Sequence, residues 1–178
     1  MKTRSLLLAL ALLSAVTLFT PAVRAQDPAD GISGHAANVF VGFSAANAGQ
    51  GDGWIWGGSG GGYFQGHLLG FVLRGTAAPS GEMTHVYEGL AGPRLAFDIP
   101  ILKPFVEATG GVGHSDYDNG DGNFTRSWGP AWQVDAGVEH GLVPRLRWRI
   151  VEVAYGHIYV GPGVSPTIIT TGLTLKIF

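Results

Sequence analysis

The residues able to act as nucleophile, base or acid gather in one segment, His114, Ser115, Asp116 and Asp118, with His157 further along. A Ser–His–acid site needs nucleophile and base within hydrogen-bond reach and an acid that orients the base. In extended chain, the adjacent His114 and Ser115 point to opposite faces, and His157-Ile158-Tyr159 places no Ser on the same face two residues on. The spacing therefore argues against a hydrolytic centre, and the expectation is a protein that is not an enzyme. His85 and His140 fall at the ends of extended segments and read as interfacial polar residues. Asp116-Tyr117-Asp118-Asn119-Gly120-Asp121-Gly122 begins like a calcium loop, but its third ligand position is Gly120 and the distant Glu is missing, so it reads as a solvated turn. Gly57 to Gly62 lacks the Lys-Ser/Thr pair of a phosphate loop. With no Cys, thiol catalysis, disulfides and Cys-ligated zinc are excluded. No cofactor and no metal are expected.

What must position these residues is read from composition and periodicity. The chain has 178 residues, 29 of them Gly, with 46% hydrophobic and only 13% charged residues, which argues against disorder. A net charge of -2 gives no reason to expect a nucleic-acid partner. Lys2 and Arg4 precede an apolar run from Leu6 to Phe19, and Val23-Arg24-Ala25 offers a cleavage site before Gln26. That is the pattern of an export signal. Residues 1–25 are expected to be removed, 26–36 to form a flexible lead-in, and 37–178 to form one domain.

Beyond the leader no stretch approaches the ~20 apolar residues of a membrane helix. Apolar residues alternate instead: Trp132, Val134, Ala136 and Val138 on one face, Gln133, Asp135, Gly137 and Glu139 on the other. Leu173, Leu175 and Ile177 alternate with Thr174 and Lys176 in the same way. Turn signals divide the chain into eight such segments, near 37–45, 53–64, 68–77, 84–97, 103–113, 127–139, 146–159 and 167–178. Short connections near 65–67, 98–102 and 140–145 alternate with longer ones near 46–52, 78–83, 114–126 and 160–166. An even strand count with short turns at one end and longer loops at the other predicts an all-β, eight-stranded antiparallel up-and-down transmembrane β-barrel.

A soluble barrel would turn its apolar face inward; a membrane barrel turns it outward and fills the lumen with polar groups. Aromatics decide between them. Trp54, Trp56, Trp128, Trp132, Tyr155 and Tyr159 fall near the long-loop ends, and Phe64, Phe97, Phe105, Trp148 and Phe178 near the short-turn ends, as two interfacial girdles would. The polar face then points inward and forms a lumen cluster of Arg74, Glu88, Arg94, Glu107, Gln133, Asp135, Glu139 and Glu152. Eight strands enclose only enough room for side chains, so these groups must find partners, with Arg74 and Arg94 pairing acids that outnumber them. Strict alternation sets Arg147 and Arg149 on one face with Val151 and Val153; the favoured expectation is that Arg149 snorkels toward lipid headgroups. The alternative is that it faces the lumen and pairs with Glu107 or Asp135, with a bulge then needed to place Glu152.

Val39-Phe40-Val41-Gly42-Phe43-Ser44, Leu90-Ala91-Gly92-Pro93-Arg94, Lys103-Pro104-Phe105-Val106 and Gly172-Leu173-Thr174-Leu175-Lys176-Ile177-Phe178 together resemble the small outer-membrane β-barrel proteins of Gram-negative bacteria, of the OmpA transmembrane domain and OmpX architecture. The resemblance implies residence in the bacterial outer membrane, contact with outer-membrane lipid and lipopolysaccharide, and insertion by the barrel assembly machinery, for which Phe178 supplies the terminal aromatic. Phe178 lies one residue out of step with Leu173, Leu175 and Ile177, which a terminal bulge would reconcile. The role expected is structural or surface-recognising (envelope integrity or adhesion), carried by a monomer whose lumen is filled by polar side chains. A lipid-modifying enzyme and a narrow channel stand as alternatives.

Overall fold

The computed structural model describes residues 36–49, 53–81, 85–118 and 124–178. Residues 1–25, read above as an export signal, and nearly all of 26–36 lie outside the described residues. Eight strands follow in chain order: β1 (Ala36–Asn47), β2 (Trp54–Gln65), β3 (Leu69–Ala78), β4 (Val86–Ala96), β5 (Leu102–Asp118), β6 (Phe124–Val143), β7 (Leu146–Ile158) and β8 (Thr167–Lys176). Each pairs antiparallel with its sequence neighbour, and β1 pairs with β8, so the sheet closes into a barrel without a free lateral edge.

Period-two alternation decides which side chain goes where. On β3, Leu69, Phe71 and Leu73 are exposed while Val72, Arg74 and Thr76 are buried. On β6, Trp132 and Val134 point out while Gln133, Asp135 and Glu139 are buried. The polarity of a soluble protein is thus inverted: the charged face is enclosed and the apolar face is bare. Exposed apolar residues run all the way around, from Val41 and Phe43 on β1 to Leu173 and Leu175 on β8. Such a surface is stable only against hydrocarbon, which makes this a transmembrane barrel.

The lumen is divided along its length. At the long-loop end it is apolar, filled by Ala46, Ile55, Val86, Leu90, Ile158 and Ile168. The 159–166 connection adds to this: Ile158 bridges Val164, and Val160 and Val164 tuck in as buried residues of the same cluster. Below it the lumen is polar.

Three features depart from the alternation and turn pattern. The expected loop 114–126 is largely strand: pairs such as His114↔Trp128 and Asp116↔Arg126 carry the β5–β6 ladder past the rim, and only 119–123 remain outside the described residues. Beyond the β1–β8 register, which runs unbroken from Asn38↔Lys176 to Asn47↔Thr167, the expected terminal bulge is present: Ala37 stands against two residues, its carbonyl accepting from the Ile177 N–H and its own N–H donating to the Phe178 carbonyl. Ile177 and Phe178 are accordingly both exposed. A second bulge sits in β7. Glu139↔Arg149 and Val138↔Val151 on one side, and Gly172↔Arg149 and Thr170↔Glu152 on the other, leave Ile150 as an extra residue in both ladders. That extra residue resets the alternation, so Arg149 and Glu152 both face inward. The snorkelling expected of Arg149 is therefore corrected: its side chain is buried in the lumen.

Gly61 faces inward on β2, where an added Cβ would lie 2.1 Å from the Leu73 carbonyl oxygen. Gly89 faces outward with nothing within 4 Å. Gly61→Ala is expected to lower the unfolding free energy of the refolded barrel by about 1–3 kcal/mol, as overpacking does, and Gly89→Ala to leave it unchanged. Urea titrations of both variants in one detergent check this; equal midpoints would show that the β2–β3 approach is not tight.

Candidate functional site

The chemistry-bearing residues converge in the lower lumen because inward positions on β3 to β7 carry them there. Arg74 on β3 reaches across the barrel, donating through Nη1 to Asp135 Oδ1 at 2.7 Å and Glu107 Oε2 at 3.3 Å, and through Nη2 to Glu152 Oε1 at 2.5 Å. β3 and β7 lie on opposite sides of an eight-strand ring, so the Arg74–Glu152 pair spans the bore. Arg94 on β4 binds Glu107 and reaches Glu139 at 3.4 Å. Arg149 on β7 binds Glu139 at 2.9 Å and Glu152 at 2.5 Å. Every carboxylate in this set is therefore touched by at least one guanidinium. The Gln133 side-chain amide donates a hydrogen bond to Asp135 Oδ1.

Glu139 is the most connected acceptor. It takes hydrogen bonds from Arg94, from Arg149, from the Tyr63 hydroxyl at 2.9 Å and from the Thr174 hydroxyl at 3.2 Å. Aromatic faces complete the enclosure. The Arg94 guanidinium carbon lies 4.0 Å from the Tyr63 ring centroid and 3.9 Å from that of Phe105. Arg149 lies 3.9 Å from Phe40 and 4.8 Å from Phe105. Phe105 is thus wedged between two cations, where its ring quadrupole is attractive to both. Its assignment to the interfacial girdle is corrected: Phe105 is only 1% exposed and shares the inward face of β5 with Lys103 and Glu107. It fits because its cross-strand partner is Gly137, where an added Cβ would lie 2.5 Å from the Phe105 ring.

Above this network runs a row of hydroxyls that sequence reading missed. Thr170 meets Ser44 at 2.8 Å, Ser44 meets Ser59 at 2.6 Å and Ser59 meets Thr76 at 3.1 Å. Their inward parity on β8, β1, β2 and β3 was the available signal, but no charge marked them. Next to Thr76 in register is Glu88, 6% exposed, whose two carboxylate oxygens receive no hydrogen bond. Arg74 does not reach it, being committed to the three acids below.

The remaining candidates lie apart. Trp54, Trp56, Phe64, Phe97, Trp128, Tyr155 and Tyr159 are exposed on the outer face near the strand ends, and Trp132 is 38% exposed. Trp148 donates to the Thr171 hydroxyl at 3.3 Å on the same surface. Ser115 is buried on the lumen side, whereas His114 lies outside between the rings of Tyr87 and Trp128, so the two do not meet. Asp116 Oδ2 sits 2.5 Å from His85 Nδ1, with Arg126 Nε 3.4 Å from Oδ1. His140 Nδ1 lies 2.9 Å from the Ile101 carbonyl oxygen. His157 does have a serine neighbour, eight residues on: Ser165 Oγ is 2.8 Å from its Nδ1. Among the described residues no carboxylate is paired with His157. The bond clamps the base of the 159–166 connection.

No protein-family model matches the chain, and no characterised protein matches it in sequence. Solved structures do. Neisserial surface protein A (NspA) is 18% identical with a TM-score of 0.59, the match covering 82% of this chain and 98% of that one. The N-terminal β-barrel domain of Pseudomonas aeruginosa OprF is 16% identical with a TM-score of 0.54, covering 80% and 99%. Ail, the attachment invasion locus protein of Yersinia pestis, solved with the heparin analogue sucrose octasulfate, is 12% identical with a TM-score of 0.50, covering 81% and 100%. The likeness establishes the fold: this chain is a small eight-stranded transmembrane barrel.

Glu139→Gln leaves two buried guanidinium groups short of a countercharge and is expected to lower the unfolding free energy by about 3–5 kcal/mol. Tyr63→Phe, which removes one of several donors, is expected to cost about 1–2 kcal/mol. Urea unfolding of the refolded barrel followed by tryptophan fluorescence checks the order; a Glu139→Gln midpoint equal to wild type would show that this node carries no load.

Proposed function

We propose that this chain is an integral protein of the Gram-negative outer membrane with a structural or surface-recognition role, and that its lumen is plugged rather than conducting. The observation that carries the reading is the inverted polarity of a closed barrel whose interior ion pairs reach from wall to wall. A pore would need that space free. Longer connections at one end and short turns at the other fit loops at the cell surface and turns in the periplasm. The outer aromatics then lie at lipid and lipopolysaccharide headgroups, and Phe178 serves as the terminal aromatic for the barrel assembly machinery. The protein works as a monomer, needing no second copy to close its sheet.

Recognition is assigned to the long-loop end, where the β5–β6 hairpin rises past its neighbours. It carries the exposed Arg126 and Trp128, a cation and an aromatic suited to binding polar partners. The names of two barrels with this fold, a surface protein and an attachment protein, agree with that reading. Among the described residues the Ser165–His157 bond is the feature that favours the lipid-modifying alternative, and no acid there orients it.

The test is threefold. The protein should fractionate with outer membranes and migrate faster on gels before boiling than after. It should leave planar bilayers without steady conductance. A deletion strain should keep its lipid A acyl profile. Recovery as a soluble periplasmic protein, stable channel currents or altered acylation would each contradict the proposal.

A further inference from the structure

Five carboxylates (Glu88, Glu107, Asp135, Glu139 and Glu152) are buried in the middle of the lumen against three buried arginines, Arg74, Arg94 and Arg149. The excess falls unevenly. Four acids share the guanidinium groups, while Glu88 stands alone with both oxygens unbonded and 6% exposure. A carboxylate removed from water without a donor is costly in a way that a hydrophobic surround cannot relieve. Its surround is apolar on both sides along β4, with Val86 toward the long-loop end and Leu90 toward the network, and its β5 neighbour Gly113 is packed by the Ile158 side chain.

We infer that Glu88, with the hydroxyls of Thr76 and Ser59 beside it, forms a binding site for a small monovalent metal cation such as Na+ or K+. Thr76 lies next to Glu88 in the β3–β4 register and Ser59 next to Thr76 in the β2–β3 register, all on the inward face. Register partners stand about 5 Å apart at Cβ, so Thr76 lies within reach of both neighbours, and the long Glu88 side chain can bring its oxygens to an ion held between them. The hydroxyl row supplies the second argument. Four hydroxyls joined by three bonds have one donor hydrogen to spare, and every other hydrogen is spent within the row. With a bare carboxylate at Glu88 the row would turn its donor end toward it, yet no bond from Thr76 is made. Thr76 then spends its hydrogen on Ser59 and presents lone pairs toward Glu88. Lone pairs facing a carboxylate are favourable only with a cation between them. A proton would serve less well, since one carboxyl oxygen would still face no donor. Arg74 is held by Glu107, Asp135 and Glu152; hard oxygen donors of this type exclude softer metals, and a single carboxylate charge is matched by one monovalent ion.

An ion bound only by the folded barrel raises its stability by mass action, so cation identity becomes a stability variable. The mature protein refolded in detergent is heated in NaCl, KCl and choline chloride at one ionic strength and one pH. The wild-type midpoint is expected to stand several degrees higher in NaCl or KCl than in choline chloride. Glu88→Gln should erase the difference. Should that variant not refold, Thr76→Val keeps the carboxylate but removes a ligand, and should shrink the difference. Equal midpoints in the three salts, or a cation preference that survives Glu88→Gln, would each overturn the assignment.

Discussion

A charged side chain shut inside an eight-stranded barrel has no water to fall back on, so every ion in the lumen must be answered by another group of the protein or by something bound. Most of the molecule follows from that constraint. Three arginines from β3, β4 and β7 are shared among carboxylates from β5, β6 and β7, which ties five strands to one another through the interior. Backbone pairing alone links only neighbours. The cross-lumen ions add contacts between strands that never pair, such as β3 with β7 and β4 with β6. Hydrocarbon outside supplies no drive to collapse the barrel, because the outer face is as apolar as the lipid. Interior packing and ion pairing must therefore supply its specificity.

Packing at the network's edges serves the same end. Phe105 and Phe40 cover the guanidinium planes of Arg94 and Arg149, replacing lost hydration with ring faces. The apolar cluster at the long-loop end, drawn tighter by Val160 and Val164, keeps solvent from that side. A structural or recognising role is consistent with such an interior, which favours rigidity and leaves exchange with the outside to the rim.

Much of this was legible from alternation. The β6 pattern from Trp132 to Glu139 assigns its faces without help, and the same rule places Arg74 and Arg94. The rule failed where a residue was inserted. No Gly or Pro marks Ile150; the sequence signals the bulge only through the opposite parity of Arg149 and Glu152, two charges that alternation cannot place on one face. Phe105 was legible in principle: it is in phase with Glu107, and that parity outweighs its nearness to a strand end. The Asp- and Gly-rich run after Ser115 reads as a loop, yet hairpin pairing persists beyond the rim because β5 and β6 need only each other there. The Ser165–His157 contact is set by the path of a connection, which composition does not encode. The hydroxyl row escaped notice because Ser and Thr are compatible with either face.

The central claim is that ions facing each other across the lumen act as one network rather than as isolated charges. A double-mutant cycle on Arg74 and Glu152, using Arg74→Met and Glu152→Gln in the refolded barrel, tests it most directly. Each single change should destabilise by about 3–5 kcal/mol by stranding a buried charge. The double variant should lose well under the sum, leaving a coupling energy above about 1 kcal/mol. Losses that simply add, or single changes that leave the unfolding midpoint where it was, would contradict the account.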